Sequence, residues 1–344
     1  MRLLICTQKV DRPDSTLGFF HNWIEELSRH VESIEVICLE EGVHNLPANV
    51  RVHSLGKETG RKPRLVYILR FYRLIISLRG RYDTVFVHMN QEYVLLGGPF
   101  WKLWGKHVYM WYNHYYGTFL TDFAAWWCNK VFCTSKFSHT AKYKKTRLMP
   151  VGIDIESSRM DVAVPRTPHS VLFLARLDPS KRPELFLDAL GILEKRGINF
   201  SATVAGGPAD PLSSYPAELK ARAEKLGIVA RVAFVGAVPN TETFRQYRSH
   251  DIFVNCSKSG MFDKTIFKAV ACGCLVLTAS LDFAQMVPEI FSYEYNNDKE
   301  LADKLEHLLS VSPQDRVRLS AELSGVLKKN SLDALVEKLI QEIS

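Results

Sequence analysis

DIFVNCSKSGMFDKTIFKAVACGC, residues 251–274, reads as a buried strand (Ile252, Phe253, Val254), a glycine-bearing loop and a short helix that starts near Asp263 and stops at Gly273. A strand that feeds a glycine loop into a helix N-terminus gathers unpaired backbone N–H groups at the positive end of the helix dipole, which is an anion site. Lys264 adds a full charge at its mouth, and Lys268 lies one turn further on the same face. Two lysines at i and i+4 repel by roughly 0.2–0.5 kcal/mol unless something negative lies between them. The segment therefore points to a phosphorylated ligand; the plainer alternative is a solvated helix face with two unrelated lysines.

Working outward, the 344 residues exceed one ordinary core and suit two domains, expected at 1–150 and 151–344. No apolar run reaches the ~18 residues that span a bilayer. The first residues, MRLLICTQ, have too short an apolar core for a secretory signal and read as a buried strand. Seven cysteines with no C-x-x-C pair argue for a reducing compartment, with neither a disulfide framework nor zinc. A cytoplasmic location is expected.

Net charge is +7, unevenly placed: residues 1–150 carry 21 Lys+Arg and 12 Asp+Glu. Lys57–Arg81 alone holds eight basic residues and one acidic. Within it Leu65, Ile68, Leu69, Tyr72, Ile75 and Ile76 follow helical spacing, with Arg64, Arg70 and Arg73 beside them. Such a helix suits an anionic membrane surface, a nucleic acid, or plain packing on a sheet with solvated arginines. No helix-turn-helix, RNP-type or zinc-finger pattern supports nucleic acid, and none is expected as a partner.

Strands and amphipathic stretches alternate in both halves, the pattern of parallel α/β sheets. Strands are expected at Leu3–Cys6, Ser33–Cys38, Thr84–His88, His107–Tyr112 and Lys130–Thr134, then Ser170–Ala175, Ser201–Ala205, Val232–Val235, Ile252–Asn255 and Leu275–Thr278. First-half helices are expected at Leu17–Arg29, Lys62–Leu78 and Asp122–Cys128. The tail, 314–344, carries a helical pattern that must dock somewhere. Ligands of doubly wound sheets lie outside the carboxyl ends of the strands, so two such domains facing each other are expected to share a cleft.

Several residues fall at those strand ends. Arg176 leaves the strand Ser170–Ala175, and Lys181 precedes a helix that Pro183 helps start. An Arg–Lys pair there can hold a diphosphate and neutralise it as it departs. Gly206, Gly207 and Gly236 follow later strands and permit close backbone approach, although turns need glycine too. Gly18 opens the first helix, and His114 follows the strand ending at Tyr112, where it can touch a sugar hydroxyl. There is no G-x-G-x-x-G, Walker A loop, G-x-S-x-G or H-E-x-x-H, and no Asp-x-Asp. No metal site and no cofactor are expected; a diphosphate here must be balanced by Lys, Arg and helix dipoles.

In order, VGID (151–154), ARLDPSKRPE (175–184), VAGGP (204–208), FVGAVP (234–239) and SGMFDKTIFKAVACGC (259–274) resemble the family 4 type of retaining, nucleotide-sugar-dependent glycosyltransferases. The early LGF, His88-Met89 and WYNH (111–114) look like a bacterial and archaeal branch whose donor loop reads S/T-G-x-x-D-K. The resemblance implies a GT-B fold of two Rossmann-like domains, with the acceptor, a glycan or lipid-linked sugar, in the first, the nucleotide-diphosphate sugar in the second, and a tail helix over about 314–344 crossing back to the first. It implies metal-independent transfer with retention, at the inner face of a membrane, in cell-surface polysaccharide or glycolipid synthesis. It assigns Arg176 and Lys181 to the diphosphate and His114 and Gly18 to the neighbourhood of the transferred sugar. It assigns Gly206, Gly207, Gly236, Val238, Gly260, Met261, Phe262, Asp263, Lys264 and Lys268 to the donor. The family's two donor-loop glutamates are absent, their positions held by Gly260 and Lys268. An ammonium has no acceptor lone pair, so the usual ribose clamp cannot form. Three outcomes follow: Asp263 replaces the clamp, the donor carries extra negative charge, or turnover is lost and the protein only binds a nucleotide or partner.

Overall fold

Strand β1 (Arg2–Val10) sorts its side chains by parity. Leu3 and Ile5 enter one core and Leu4 and Cys6 another, as a strand buried on both faces requires. The computed structural model describes residues 1–14, 16–155, 164–208, 210, 212–239, 242–260 and 263–344. These residues divide into two units, one formed by 1–152 with 332–344, the other by 153–331.

In the first unit, β1 is joined by β2 (Ser33–Glu41), β3 (Val50–Ser54), β4 (Thr84–His88), β5 (His107–Trp111), β6 (Lys130–Cys133) and β7 (Thr146–Leu148). All pairings are parallel, in the order β3-β2-β1-β4-β5-β6-β7. Helix α1 (Gly18–Ser28) lays Phe20, Trp23, Ile24 and Leu27 on one face of this sheet. The C-terminal helix Leu332–Ile343 joins it there with Leu335, Val336, Leu339 and Ile343. The opposite face is covered by α2 (Arg64–Ser77), α3 (Gln91–Leu103) and α4 (Phe119–Trp127).

The second unit holds β8 (Thr167–Leu174), β9 (Ser201–Ala205), β10 (Val232–Gly236), β11 (His250–Asn255) and β12 (Leu275–Thr278), all parallel, in the order β10-β9-β8-β11-β12. Its helices are α5 (Pro183–Lys195), α6 (Tyr215–Lys225), α7 (Thr243–Ser249), α8 (Lys264–Ala271), α9 (Leu281–Ala284), α10 (Asp298–Ser310) and α11 (Pro313–Ser324).

Three expectations need correcting. The tail is not one helix over 314–344: α11 stays with the second unit, and only residues 332–344 join the first. Strand β3 was missed because VRVHS has only two strongly apolar positions. Helix α3 was missed because Gly97, Gly98 and Pro99 sit in its interior, where each normally weakens a helix. Here the missing side chains are the point. A Cβ at Gly97 would meet the Trp101 ring at about 2.5 Å, and one at Gly98 would lie 3.1 Å from Trp127 of α4.

Residues 332–344 hold their place by apolar burial, with Lys130 Nζ donating to Glu342 Oε2 at 2.9 Å and Lys338 Nζ to the Leu148 carbonyl at 2.8 Å. Leu335→Ala removes a fully buried side chain and is expected to cost about 3 kcal/mol in urea unfolding. The exposed neighbour change Glu337→Ala should cost under ~0.5 kcal/mol. Equal effects would contradict this docking.

Candidate functional site

The order β10-β9-β8-β11-β12 reverses between β8 and β11, so the loops that leave these two strands separate to opposite sides and open a crevice at their carboxyl ends. Both loops place charged groups there. After β8, Asp178 accepts from the Ser180 N–H at 2.9 Å and caps the turn Pro179–Lys181. Arg182, left-handed at φ 53°, then swings the chain into α5. That corner leaves Lys181 reaching to the second loop: its Nζ donates to Asp263 Oδ2 at 2.8 Å and to Ser257 Oγ at 3.2 Å.

Asp263 is the N-cap of α8, its Oδ1 accepting from the Thr265 N–H at 3.1 Å and the Thr265 hydroxyl at 2.7 Å. Its Oδ2 also accepts from Asn255 Nδ2 at 3.2 Å and Ser257 Oγ at 3.4 Å. Burial alone would raise this carboxyl, but the Lys181 ammonium and the Thr265 hydrogen bonds outweigh it and hold the pKa at about 2. Both oxygens are thus committed inside the protein. Asp263 caps α8 and positions Lys181.

Lys264 and Lys268 lie on the first two turns of α8. Burial, and then the neighbouring Lys268 charge, push the Lys264 ammonium well below its usual pKa. Lys268 is drawn down to about 8 by burial, against the opposing pull of Cys272, Asp154 and Asp263, and its ammonium lies 5.4 Å from the centre of the Phe244 ring. Arg176 differs from all of these: it is exposed at the end of β8, near Asp178 and with no hydrogen bond or ion pair among the described residues.

The glycines have mixed fates. Gly206, at φ +148°, has no room for a Cβ, which would collide with the Ala175 carbonyl. Its N–H donates to the Gly236 carbonyl at 2.7 Å, and the Gly207 carbonyl accepts from Leu177 N–H at 2.9 Å. This pair stitches the loops after β8, β9 and β10 together, so close approach here is by the chain's own backbone. Gly236 ends the edge strand β10 and Val238 follows it, two strands away from β8. Gly260, at φ +104°, gives its N–H to Asp282 Oδ2 at 3.0 Å. Met261 and Phe262 lie outside the described residues.

In the first unit, the Gly18 N–H is taken by the Asp14 carbonyl at 3.0 Å. His114 accepts from the Tyr116 backbone N–H at 3.0 Å through Nδ1. A neutral ring then carries its proton on Nε2, which can donate to a hydroxyl. His88 is buried and stacked on Phe20 at 3.9 Å, a structural part of the aromatic core beside β1 and β4. Arg64 and Arg73 are exposed, but Arg70 turns inward, its Nη1 donating to the Leu55 carbonyl at 2.6 Å. Arg70 is therefore not a surface contact as expected.

Sequence reading did not single out Asn255, Ser257, Asp282 or Phe244. The run N-C-S directly after IFV, with polar residues following a buried strand, was the one available signal for the first two.

Residues 154–322, within the second unit, match the family model described as Glycosyl transferases group 1. Over 126 residues the chain is 31% identical to a D-inositol 3-phosphate glycosyltransferase of Corynebacterium glutamicum, a match covering 36% of this chain and 30% of that protein. Over 218 residues it is 28% identical to the enzyme of that name from Mycobacterium bovis, covering 58% and 44%. The chain thus spans less than half the length of these curated relatives. Among solved structures it resembles Anabaena HepE in complex with UDP-glucose, with TM-score 0.80, 15% identity and 99% of each chain covered. Sucrose-phosphate synthase from Thermosynechococcus elongatus gives TM-score 0.78 at 15% identity, over 99% of this chain and 98% of the other. The fold, two Rossmann-like parallel-sheet units, is that of the GT-B structures.

Acid tests the ion pair. Because the folded pKa of Asp263 lies below its ordinary value of 3.8, its contribution is complete above about pH 4 and is lost as pH falls towards 2. Asp263→Asn should lower the unfolding free energy by about 2 kcal/mol at pH 7, and the gap to wild type should close between pH 4 and 2. A gap independent of pH would show that the carboxylate is not held by Lys181.

Proposed function

We propose that this protein is a glycosyltransferase that moves a sugar from a nucleoside-diphosphate sugar to a glycan or lipid-linked acceptor, with retention at the anomeric carbon and without a divalent ion. The observation that carries the reading is the Lys181–Asp263–Ser257 cluster at the crevice between β8 and β11, with Arg176 open beside it. The family match over 154–322 and the UDP-glucose held by a protein of the same fold support it. The second unit takes the donor and the first the acceptor.

The chemistry needs charge where the leaving group forms. The bond between the anomeric carbon and the diphosphate oxygen breaks, and its electron pair departs on the phosphate. The acceptor hydroxyl oxygen bonds to that carbon from the same face, and its proton passes to the departing phosphate oxygen. Lys181 has three N–H donors, of which Asp263 and Ser257 occupy two, so a fixed third can meet the phosphate. Arg176 adds a planar fork suited to two phosphate oxygens. Charges positioned before the reaction need no rearrangement during it. In the first unit, His114 Nε2–H serves a sugar hydroxyl. Synthesis of a cell-surface glycan or glycolipid at the inner face of a membrane fits this acceptor class.

One observation favours a second reading, a protein that binds a nucleotide without transfer: Lys268 stands where the resembled family has a glutamate.

Calorimetric titration with UDP, GDP and ADP and their sugars in EDTA should find at least one ligand bound. Arg176→Ala should weaken it by about 10–100-fold, the worth of one or two charge-assisted hydrogen bonds. Complete indifference to all these ligands would end the donor assignment. For turnover, Lys268→Glu is compared with wild type. Transfer from an ordinary UDP- or GDP-sugar rising at least tenfold in the variant would mean position 268 had moved the native donor away from that class. Sugar transfer by neither protein, with nucleotide still bound, is the outcome of the binding-only reading.

A further inference from the structure

Helix α4 is built inside out. Its sequence, FLTDFAAWW, has aromatic residues at 119, 123 and 126, the spacing of a core-facing stripe. In the structure the small residues Thr121, Ala124 and Ala125 are the buried ones, whereas Phe119 is 77% and Trp126 66% exposed and Phe123 is exposed too. Phe123 and Trp126 stack on each other at 6.0 Å with planes 8° apart, so the outer ridge is ordered rather than frayed.

The ridge continues across the same layer. Helices α2, α3 and α4 pack on one face of the first sheet through one core. Trp127 of α4 meets α3 at Gly98, and Phe100 of α3 lies 5.4 Å from Tyr72 of α2. Leu103 of α3, at 81% exposure, and Leu65 and Leu69 of α2 extend the apolar surface outward. Large apolar side chains exposed on three neighbouring helices of one layer are clustered rather than scattered.

The charge around it is mostly positive, with Glu92 at the start of α3 and Asp122 on α4 as the acids of the three helices. Residues 61–79 contain six Lys or Arg and no acid, and residues 136–147, which follow β6, contain five and no acid. The acid on α4, Asp122, is neutralised by Lys142 at 2.9 Å and by His139 at 2.8 Å. A second copy docking here through the same face would set cations against cations. An anionic bilayer instead offers hydrocarbon for the rings and phosphate for the lysines and arginines. No helix among the described residues is long and apolar enough to cross a membrane, so this surface can lie only in the interface.

We infer that the outer face of the α2–α3–α4 layer is a docking surface for an anionic lipid bilayer, with Phe119, Phe123 and Trp126 as the inserting residues and Arg64 and Arg73 as headgroup contacts. It deepens the reading of a lipid-linked acceptor by naming the surface that meets the lipid. Its test needs no donor, so its failure and the failure of the transferase reading are distinguishable.

The full chain is sedimented with vesicles of phosphatidylcholine alone and with 30% phosphatidylglycerol. Wild type should pellet with the anionic vesicles at least tenfold more than with the neutral ones. Phe119→Ser/Phe123→Ser/Trp126→Ser should reduce that partition at least tenfold, with the elution volume and unfolding midpoint kept. Arg64→Gln/Arg73→Gln should reduce it several-fold and flatten its dependence on salt. Trp126→Phe should remove the blue shift in tryptophan emission that accompanies vesicle binding. Unchanged sedimentation of the triple variant overturns the proposal, as does a wild type that ignores anionic vesicles. A wild type that is dimeric by light scattering, made monomeric by the triple variant and indifferent to lipid, overturns it in favour of a self-association surface.

Discussion

The contact between Lys181 and Asp263 is the constraint around which the second unit is arranged. It joins two loops 82 residues apart in sequence at the one place where the sheet order reverses. The same carboxylate caps α8, so the helix start, the loop after β11 and the loop after β8 are registered by a single side chain. A buried ion pair is weak evidence for stability in itself, because desolvation offsets much of the attraction. Its value here is positional. With Asn255 and Ser257 filling the remaining sites on the carboxylate, the lysine is held in one orientation before any ligand arrives.

What the sequence made legible followed from local rules. The ten expected strands were read from apolar runs bounded by turns, and each of them appears in the two sheets. Arg176, Lys181, Asp263 and Lys264 were read from their places beside strand ends and helix starts. What stayed hidden depended on partners. The spacing D-K-T at 263–265 signals an N-cap, yet nothing local says that the carboxylate will be occupied by a lysine from a distant loop. Gly260 carries a turn signal, but its amide is claimed by Asp282, 22 residues later. Gly206 and Gly207 looked like openings for a ligand and prove to be the seam between neighbouring loops. In each case the residue type was informative and its partner was set by tertiary packing.

Helices α2 and α4 show the same limit from the other side. Periodicity locates a stripe but does not say which stripe faces the sheet. On α2 the expected stripe splits: Ile75 is buried while Leu65, Leu69 and Ile76 are exposed, and Phe71, outside that stripe, is buried instead. On α4 Ala124 and Ala125 take buried positions, and it is the Trp127 ring that packs against α3, where Gly98 leaves space for it. A glycine that hid α3 from sequence reading thus makes room for an α4 ring. Arg70 follows a related logic, since its guanidinium satisfies the Leu55 carbonyl that would otherwise end a strand unpaired.

The polar side of α8 narrows what the crevice can hold. Its carboxylate is spent on Lys181 and on its own helix start, so the charged groups left on its first two turns are the ammonium groups of Lys264 and Lys268. Both are depressed by burial, Lys264 also by its like-charged neighbour, while Cys272, Asp154 and Asp263 pull Lys268 the other way. An ammonium only donates hydrogen bonds. A pair of vicinal hydroxyls gains most from a carboxylate that accepts both protons, and α8 has none to give. Oxygens that only accept, those of phosphate, carboxylate or carbonyl groups, suit such donors without leaving a proton unpaired.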